Sequence, residues 1–131
     1  MESLSPNFFV KDISSTIDFY KLLGFEVAMS VPPEGTDLVW VMMTNGGVSM
    51  MFQTMESLGN DLPQIHRTDG SSLLMYITVK DIQGFFDRIK EQVTVLKGLE
   101  TTFYGATEFS ILDPNNYVLT FAEHQEQDDQ V

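Results

Sequence analysis

Hydrophobic and polar residues alternate along the first half of the chain in a way that predicts one helix and four strands. A short apolar strand precedes an amphipathic helix, for which Asp12, Ser14 and Ser15 are N-cap candidates and Gly24 the terminator. Asn45-Gly46-Gly47 is a hairpin signal between the last two strands. The predicted strands cover residues 6–10, 25–31, 37–44 and 48–53.

The second half of the chain predicts a similar series after a long polar loop. A helix over 81–92 carries Ile82, Phe85, Phe86 and Ile89 on its apolar side. The predicted strands around this helix cover residues 72–79, 93–96, 99–103, 107–112 and 117–123. The loop over 55–70 is longer than an ordinary connection, and loops of that length are usually functional or partly helical.

A repeated tetrapeptide relates the two halves. Val10-Lys11-Asp12-Ile13 recurs as Val79-Lys80-Asp81-Ile82, each time between an apolar strand and an amphipathic helix. We therefore predict an α+β fold of two βαβββ modules, over 4–54 and 71–124, joined by the loop over 55–70 and followed by an acidic tail over 125–131. With the helices on one face of a mixed sheet, the opposite face is expected to form an open cup, and the whole chain to be one domain.

Composition narrows the function classes. Seven Lys and Arg against 19 Asp and Glu give a formal net charge of −12, which argues against nucleic acid and favours cationic or neutral partners. The absence of cysteine excludes disulfides and thiolate chemistry. No apolar run approaches a membrane span and no secretory signal is visible, so a cytoplasmic location without membrane association is expected.

Several phrases resemble the vicinal oxygen chelate superfamily, which includes glyoxalase I, extradiol dioxygenases, fosfomycin-resistance enzymes and bleomycin-resistance proteins. They are the segment from Phe9 through Phe19-Tyr20 to Leu23-Gly24-Phe25-Glu26-Val27, and the C-terminal segment from Glu108 to Glu123. The resemblance implies the cup-shaped fold of two βαβββ modules. It implies no single function, because members of this superfamily include lyases, dioxygenases, transferases and non-catalytic binders.

The resemblance also implies where a divalent metal would be bound. Catalytic members hold it with His, Glu or Gln side chains from four cup-lining strands. Here those positions fall on Ser5, Met51, Met75 and Thr120. None supplies an imidazole or carboxylate, so we expect no metal and no cofactor.

Strand alternation predicts which side chains line the cup. The positions expected to face the helices are Phe8, Val10, Phe52, Leu74, Tyr76, Leu119 and Phe121. The positions expected to face the cup are Asn7, Phe9, Met51, Gln53, Met75, Ile77, Val118 and Thr120. Such a mixed lining suits a small organic molecule, although methionines also fill ordinary cores.

Aromatic residues add further candidates. In the resembled bleomycin-resistance proteins, aromatic and acidic residues line a groove between two chains that binds a flat cationic drug. The resemblance therefore implies a homodimer in which Trp40, Phe103 and Tyr104 bind a ligand by stacking and cation–π contact. Packing of Trp40 in the core or a dimer interface is the alternative. The candidate ligand-binding residues are Phe9, Trp40, Met51, Gln53, Met75, Phe103, Tyr104 and Thr120.

Two function hypotheses follow, beside the third possibility of a structural or regulatory dimer that binds no ligand. The first is a metal-independent protein that binds, and sequesters, a cationic or aromatic organic compound. The alternative is a metal-dependent lyase or dioxygenase with non-standard ligands, for which Glu108, the best-placed general base, and His66 in the loop are candidates. The two histidines, His66 and His124, are expected to lie off the cup lining. The sequence leaves the ligand open, as well as any exchange of modules between chains.

Overall fold

Each half of the chain folds as one strand, one main helix and three further strands. The computed structural model describes residues 1–125, so the predicted acidic tail, apart from Gln125, lies outside the described residues. The chain divides into two compact units between Asp69 and Gly70. The α+β fold with two repeated βαβββ modules is thereby confirmed.

The first unit contains a four-stranded mixed sheet in the order β1-β4-β3-β2. Strands β1 and β4 are parallel, and the other pairs are antiparallel. The elements are β1 (Asn7–Val10), α1 (Ile13–Leu22), β2 (Glu26–Val31), β3 (Trp40–Asn45), β4 (Val48–Thr54) and a short α2 (Met55–Leu58).

Helix α1 begins where the sequence predicts and packs on one face of this sheet. The Asp12 side chain accepts hydrogen bonds from the backbone N–H groups of Ser14 and Ser15, at 3.2 and 3.4 Å, and is therefore the N-cap. The ring of Tyr20 lies 4.7 Å from that of Phe52 in β4. Both side chains are fully buried, so the core of this unit lies between α1 and the sheet.

The second unit repeats this arrangement, with the strand order β5-β8-β7-β6 and a parallel β5–β8 pair. The elements are β5 (Leu74–Thr78), α3 (Ile82–Ile89), β6 (Thr94–Thr101), β7 (Ala106–Leu112) and β8 (Val118–His124). The prediction of two strands over 93–96 and 99–103 was wrong, because β6 is continuous. The pairing of β6 with β7 shifts register on both sides of Lys97, so the Lys97-Gly98 interruption is a bulge within one strand.

Helix α3 packs on its sheet through edge-to-face and tilted contacts between aromatic rings. Phe85 lies 4.9 Å from Phe121 and 5.7 Å from Phe109, measured between ring centroids. Asp81 caps the helix by accepting a hydrogen bond from the backbone N–H of Gly84 at 3.3 Å. Unlike Asp12, it adopts a left-handed backbone, with φ of 51°.

The long loop is partly helical, one of the two alternatives expected for its length, since it begins with α2. Arg67 organises the rest by donating hydrogen bonds to the carbonyl oxygens of Gly59, Asp61, Leu62 and Ile65. Its guanidinium is therefore engaged in hydrogen bonds within the loop. In the part of the chain that the structure describes, no helix is long and apolar enough to cross a membrane.

Candidate functional site

The face of the first sheet opposite α1, here called the α1-distal face, carries half of the predicted binding residues. Phe9 pairs with Gln53, and Gln53 pairs with Trp40, so the three side chains form one row across β1, β4 and β3. All three are half-buried. This register places Trp40 on the α1-distal face and not between the sheet and α1.

A second row runs beside the first. Asn7 pairs with Met51, and Met51 pairs with Met42. The predicted alternation in this module is confirmed, since Phe8, Val10 and Phe52 are buried on the α1 side while Asn7, Phe9, Met51 and Gln53 face away. Met42 was missed, because its position on this face follows only from strand pairing.

A chain of hydrogen bonds orients the Gln53 amide on the α1-distal face. The Asn7 Nδ2 donates to Gln53 Oε1 at 3.0 Å, and Gln53 Nε2 donates to the Ser57 hydroxyl at 3.1 Å. Ser57 is in turn held by Thr54, which caps α2. The loop after β4 therefore positions one of the polar groups on this face.

In the second sheet, the predicted alternation of β5 was wrong. Met75 pairs with Leu119 and Ile77 pairs with Phe121, so both face α3. Tyr76 pairs with Thr120 and therefore lies on the opposite face, here called the α3-distal face. Leu74, the partner of Val118, lies there too. Because every residue from Leu74 to Ile77 is apolar or aromatic, hydrophobicity does not distinguish the two faces of this edge strand.

A cluster of titratable side chains occupies the α3-distal face. The hydroxyls of Tyr76 and Tyr104 both donate to Glu108 Oε2, each at 2.5 Å. The Tyr76 oxygen also lies 3.3 Å from His124 Nε2. Strands β5, β7 and β8 and the turn after β6 each contribute one residue. The expectation that His124 lies off the lining was wrong, because its pairing with Ala106 puts it on the same face as Thr120.

The cluster favours an ionised Glu108. Burial opposes the charge, but the hydrogen bonds from Tyr104 and Tyr76, together with the nearby His124 and Lys97, outweigh it and lower the pKa of Glu108. The same hydrogen bonds and partial burial raise the pKa values of both tyrosines. Glu108 is therefore a carboxylate held by two neutral phenols, which makes it a weaker general base than an ordinary glutamate.

The remaining predicted aromatic, Phe103, lies in the turn between β6 and β7. Its side chain is 99% exposed, and its ring contacts that of Tyr104 edge to face at 5.0 Å. The other histidine, His66, is exposed in the loop of the first unit.

The residues at the implied metal positions do not fit a hard divalent cation. Met75 faces α3, Met51 offers only a thioether, and Ser5 precedes β1. Thr120 is 5% exposed, and its hydroxyl lies 2.8 Å from the Ser110 hydroxyl, with which it shares a hydrogen bond. Within residues 1–125, no three or more His, Cys, Asp or Glu side chains are grouped as metal ligands.

The chain belongs to the Glyoxalase/Bleomycin resistance protein/Dioxygenase superfamily, whose family model matches residues 4–121. The resemblance stated from the sequence is therefore confirmed. No curated protein sequence is significantly similar to this chain.

Solved structures share the fold over nearly the full length of the chain. A glyoxalase/bleomycin resistance protein/dioxygenase family enzyme from Burkholderia phytofirmans PsJN is 20% identical, with a TM-score of 0.74, covering 92% of this chain and 97% of that one. A bleomycin-binding protein complexed with bleomycin is 19% identical, with a TM-score of 0.66 and coverages of 95% and 100%. A bleomycin resistance determinant encoded on the transposon Tn5 is 21% identical, with a TM-score of 0.67 and coverages of 96% and 100%. At these identities the likeness shows the fold.

Proposed function

We propose that this protein binds a small organic molecule that has a flat aromatic portion, without a metal ion, and that the α1-distal face contributes the binding surface. The row formed by Phe9, Gln53 and Trp40 is the observation that carries this proposal. It combines two aromatic rings with an amide already oriented by hydrogen bonds, which is the mixture typical of small-molecule sites.

The surface suits a planar group for physical reasons. A half-buried indole offers a large face for stacking at little entropic cost, and the thioethers of Met42 and Met51 adapt to irregular shapes beside it. Gln53 supplies directional recognition because its side chain is held at both ends of the amide.

The solved relatives and the charge support the class of ligand. One relative is described as a bleomycin-binding protein in complex with bleomycin, so this fold accommodates an organic compound in at least that protein. The net charge of −12 favours a cationic compound over an anionic one. We therefore propose sequestration of a cationic or aromatic compound by a cytoplasmic homodimer. Light scattering after size-exclusion chromatography tests the dimer, and a monomeric mass would refute it.

Trp40 fluorescence tests the binding proposal directly, since Trp40 is the sole tryptophan. Titration with a panel of small planar compounds is expected to quench its emission saturably for at least one of them. For that compound, Gln53→Ala should weaken binding by about fivefold, the effect of one neutral hydrogen bond. Gln92→Ala, an exposed glutamine in the second unit, is the matched control. No saturable response across the panel would refute the proposal.

Metal analysis tests the alternative of a metal-dependent lyase or dioxygenase. Protein purified without a histidine tag is incubated with Zn, Ni, Mn or Fe(II), desalted and analysed. We expect substoichiometric metal, because the implied positions lack imidazole and carboxylate donors. Stoichiometric metal removable by a chelator would overturn the metal-independent proposal, whatever the fluorescence titration shows.

A further inference from the structure

The carboxylate of Glu108 forms no ion pair within the described residues, although Lys97 and His124 lie close enough to lower its pKa. The nearest ammonium on its strand pair, that of Lys97, forms a 3.0 Å ion pair with Glu100 instead. Glu100 lies directly across from Glu108 in the β6–β7 register, so a second negative charge stands beside the first. The α3-distal face therefore presents an ionised, incompletely neutralised carboxylate.

The hydrogen bonds leave acceptors free on one side of this carboxylate. Both phenols donate to Oε2, and no hydrogen bond to Oε1 is formed by the rest of the described chain. Because the Tyr76 hydroxyl donates to Glu108, the contact with His124 uses an acceptor lone pair of Tyr76, with His124 Nε2 as the donor. The hydrogen bonds of the described residues include none that the Tyr104 oxygen accepts, although the Thr102 and Tyr76 hydroxyls lie close enough to lower the Tyr104 pKa. A ligand with several N–H groups thus finds two neighbouring acceptors, Glu108 Oε1 and Tyr104 Oη.

Exposed aromatic rings surround these acceptors. Tyr76 is 45% exposed, Tyr104 is 52% exposed and Phe103 is almost fully exposed. Aromatic faces attract cations and the organic groups that carry them, while excluding some of the water that would screen the carboxylate. Carboxylate, phenol oxygen and rings together match an organic cation better than a neutral or an inorganic ligand.

We propose that Glu108, Tyr76 and Tyr104 form a binding site for an organic cation that carries N–H donors, that is, an ammonium, amidinium or guanidinium group, and that this site discriminates against quaternary ammonium. An N–H cation donates charge-assisted hydrogen bonds to Oε1 and the Tyr104 oxygen, whereas a trimethylammonium group has no donor. The site lies in the second unit and does not depend on Trp40.

The test uses three probes of similar shape: benzylammonium, benzyltrimethylammonium and benzyl alcohol. Binding is followed by the ring signals of Tyr76, Tyr104 and His124 in ¹H–¹³C NMR spectra, with the His66 ring as an internal reference in the other unit. We expect benzylammonium to shift the three signals saturably. The other two probes should bind at least about tenfold more weakly, since each lacks either the donors or the charge.

Glu108→Gln is the decisive variant and Glu91→Gln its matched control, because both remove one negative charge from the second unit. Glu91 is exposed and follows α3, so its loss leaves the Lys97–Glu100 ion pair intact. Benzylammonium should bind about tenfold more weakly to the first and nearly unchanged to the second. Equal losses in the two variants would show general attraction to an acidic protein and would overturn the proposal. The proposal would also be overturned if benzyltrimethylammonium bound as tightly as benzylammonium, or if benzylammonium did not shift the NMR ring signals.

A second variant covers the case in which Glu108→Gln does not fold, as judged by circular dichroism. Tyr104→Phe keeps the carboxylate but removes one acceptor, so it should weaken benzylammonium binding and leave Trp40 emission unchanged. An unaltered affinity in Tyr104→Phe would contradict the inference. If benzylammonium does not bind but planar compounds quench Trp40, only the cation site is refuted. If benzylammonium binds as expected but no planar compound quenches Trp40, only the proposed α1-distal surface is refuted.

Discussion

The repeated Val-Lys-Asp-Ile segment offers a sharp test of how backbone conformation changes the effect of one substitution. Asp12 and Asp81 both cap a helix through their side chains. Asp12 does so from an extended backbone with φ of −130°, whereas Asp81 has φ of 51° in the left-handed region. We expect Asp81→Ala to destabilise the protein more than Asp12→Ala.

The expected difference follows from two contributions. Loss of an N-cap side chain costs about 1 kcal/mol of unfolding free energy, and this applies to both positions. Alanine in the left-handed region costs roughly 1–2 kcal/mol more, and this applies only to residue 81. Asp12→Ala should therefore cost about 1 kcal/mol and Asp81→Ala about 2–3 kcal/mol. Glycine adopts the left-handed conformation without strain. Asp81→Gly should therefore lower the unfolding free energy by only about a few tenths of a kcal/mol.

Urea unfolding followed by far-ultraviolet circular dichroism measures these differences. Trp40 emission, which reports on the first unit, checks whether the two units unfold together. In thermal scans a gap of about 1–2 kcal/mol corresponds to roughly 4–8 °C for a chain of this size. Equal losses in Asp12→Ala and Asp81→Ala, or an Asp81→Gly variant as unstable as Asp81→Ala, would refute the assignment of a left-handed cap.

Three further predictions concern neighbouring features. Alanine in place of a helical glycine usually raises the unfolding free energy by about 1 kcal/mol. Gly84→Ala should yield little of this gain, because the new Cβ would lie 2.4 Å from Asp81 Oδ2. The gain should return in the Asp81→Gly background, and urea unfolding measures both. Thr120→Val leaves the buried Ser110 hydroxyl unpaired and should lower the unfolding free energy by about 1–3 kcal/mol. The double variant with Ser110→Ala should be closer in stability to the parent protein. A double variant less stable than Thr120→Val alone would contradict this. Since the folded-state pKa of Glu108 is lowered, its carboxylate stabilises the protein above the unfolded pKa of about 4.3, and this stability is lost as the pH falls through the folded value. Glu108→Gln should therefore flatten the acid side of the melting-temperature profile, and an unchanged profile would show that Glu108 makes no such contribution.

Local signals in the chain predict most of the fold. Cap residues and Gly24 mark the ends of α1, because capping depends on side chains within a few residues of the helix terminus. The two-residue turn at Gly46-Gly47 sets the β3–β4 register, since it pairs Asn45 with Val48. Counting back along this hairpin pairs Trp40 with Gln53, so a local turn also sets the face on which Trp40 lies.

The cluster of side chains in the second unit was harder to predict from the sequence. Strand β5 pairs with β8 in parallel, more than thirty residues away, so no turn between them sets the register. Apolar residues at both parities of β5 remove the other local signal. Tyr76 was therefore assigned to the wrong face and Met75 to the binding surface.

The sequence by itself determined the two βαβββ modules, their helix caps, the family and the lack of suitable donors at the implied metal positions. These properties depend on residue types and on short-range hydrogen bonding, which leave a trace in the order of the residues. Only the tertiary structure brought Tyr76, Tyr104, Glu108 and His124 together, because they come from three strands and a turn. It also lowers the pKa of Glu108, since the two phenols that stabilise its charge become neighbours only when the sheet forms.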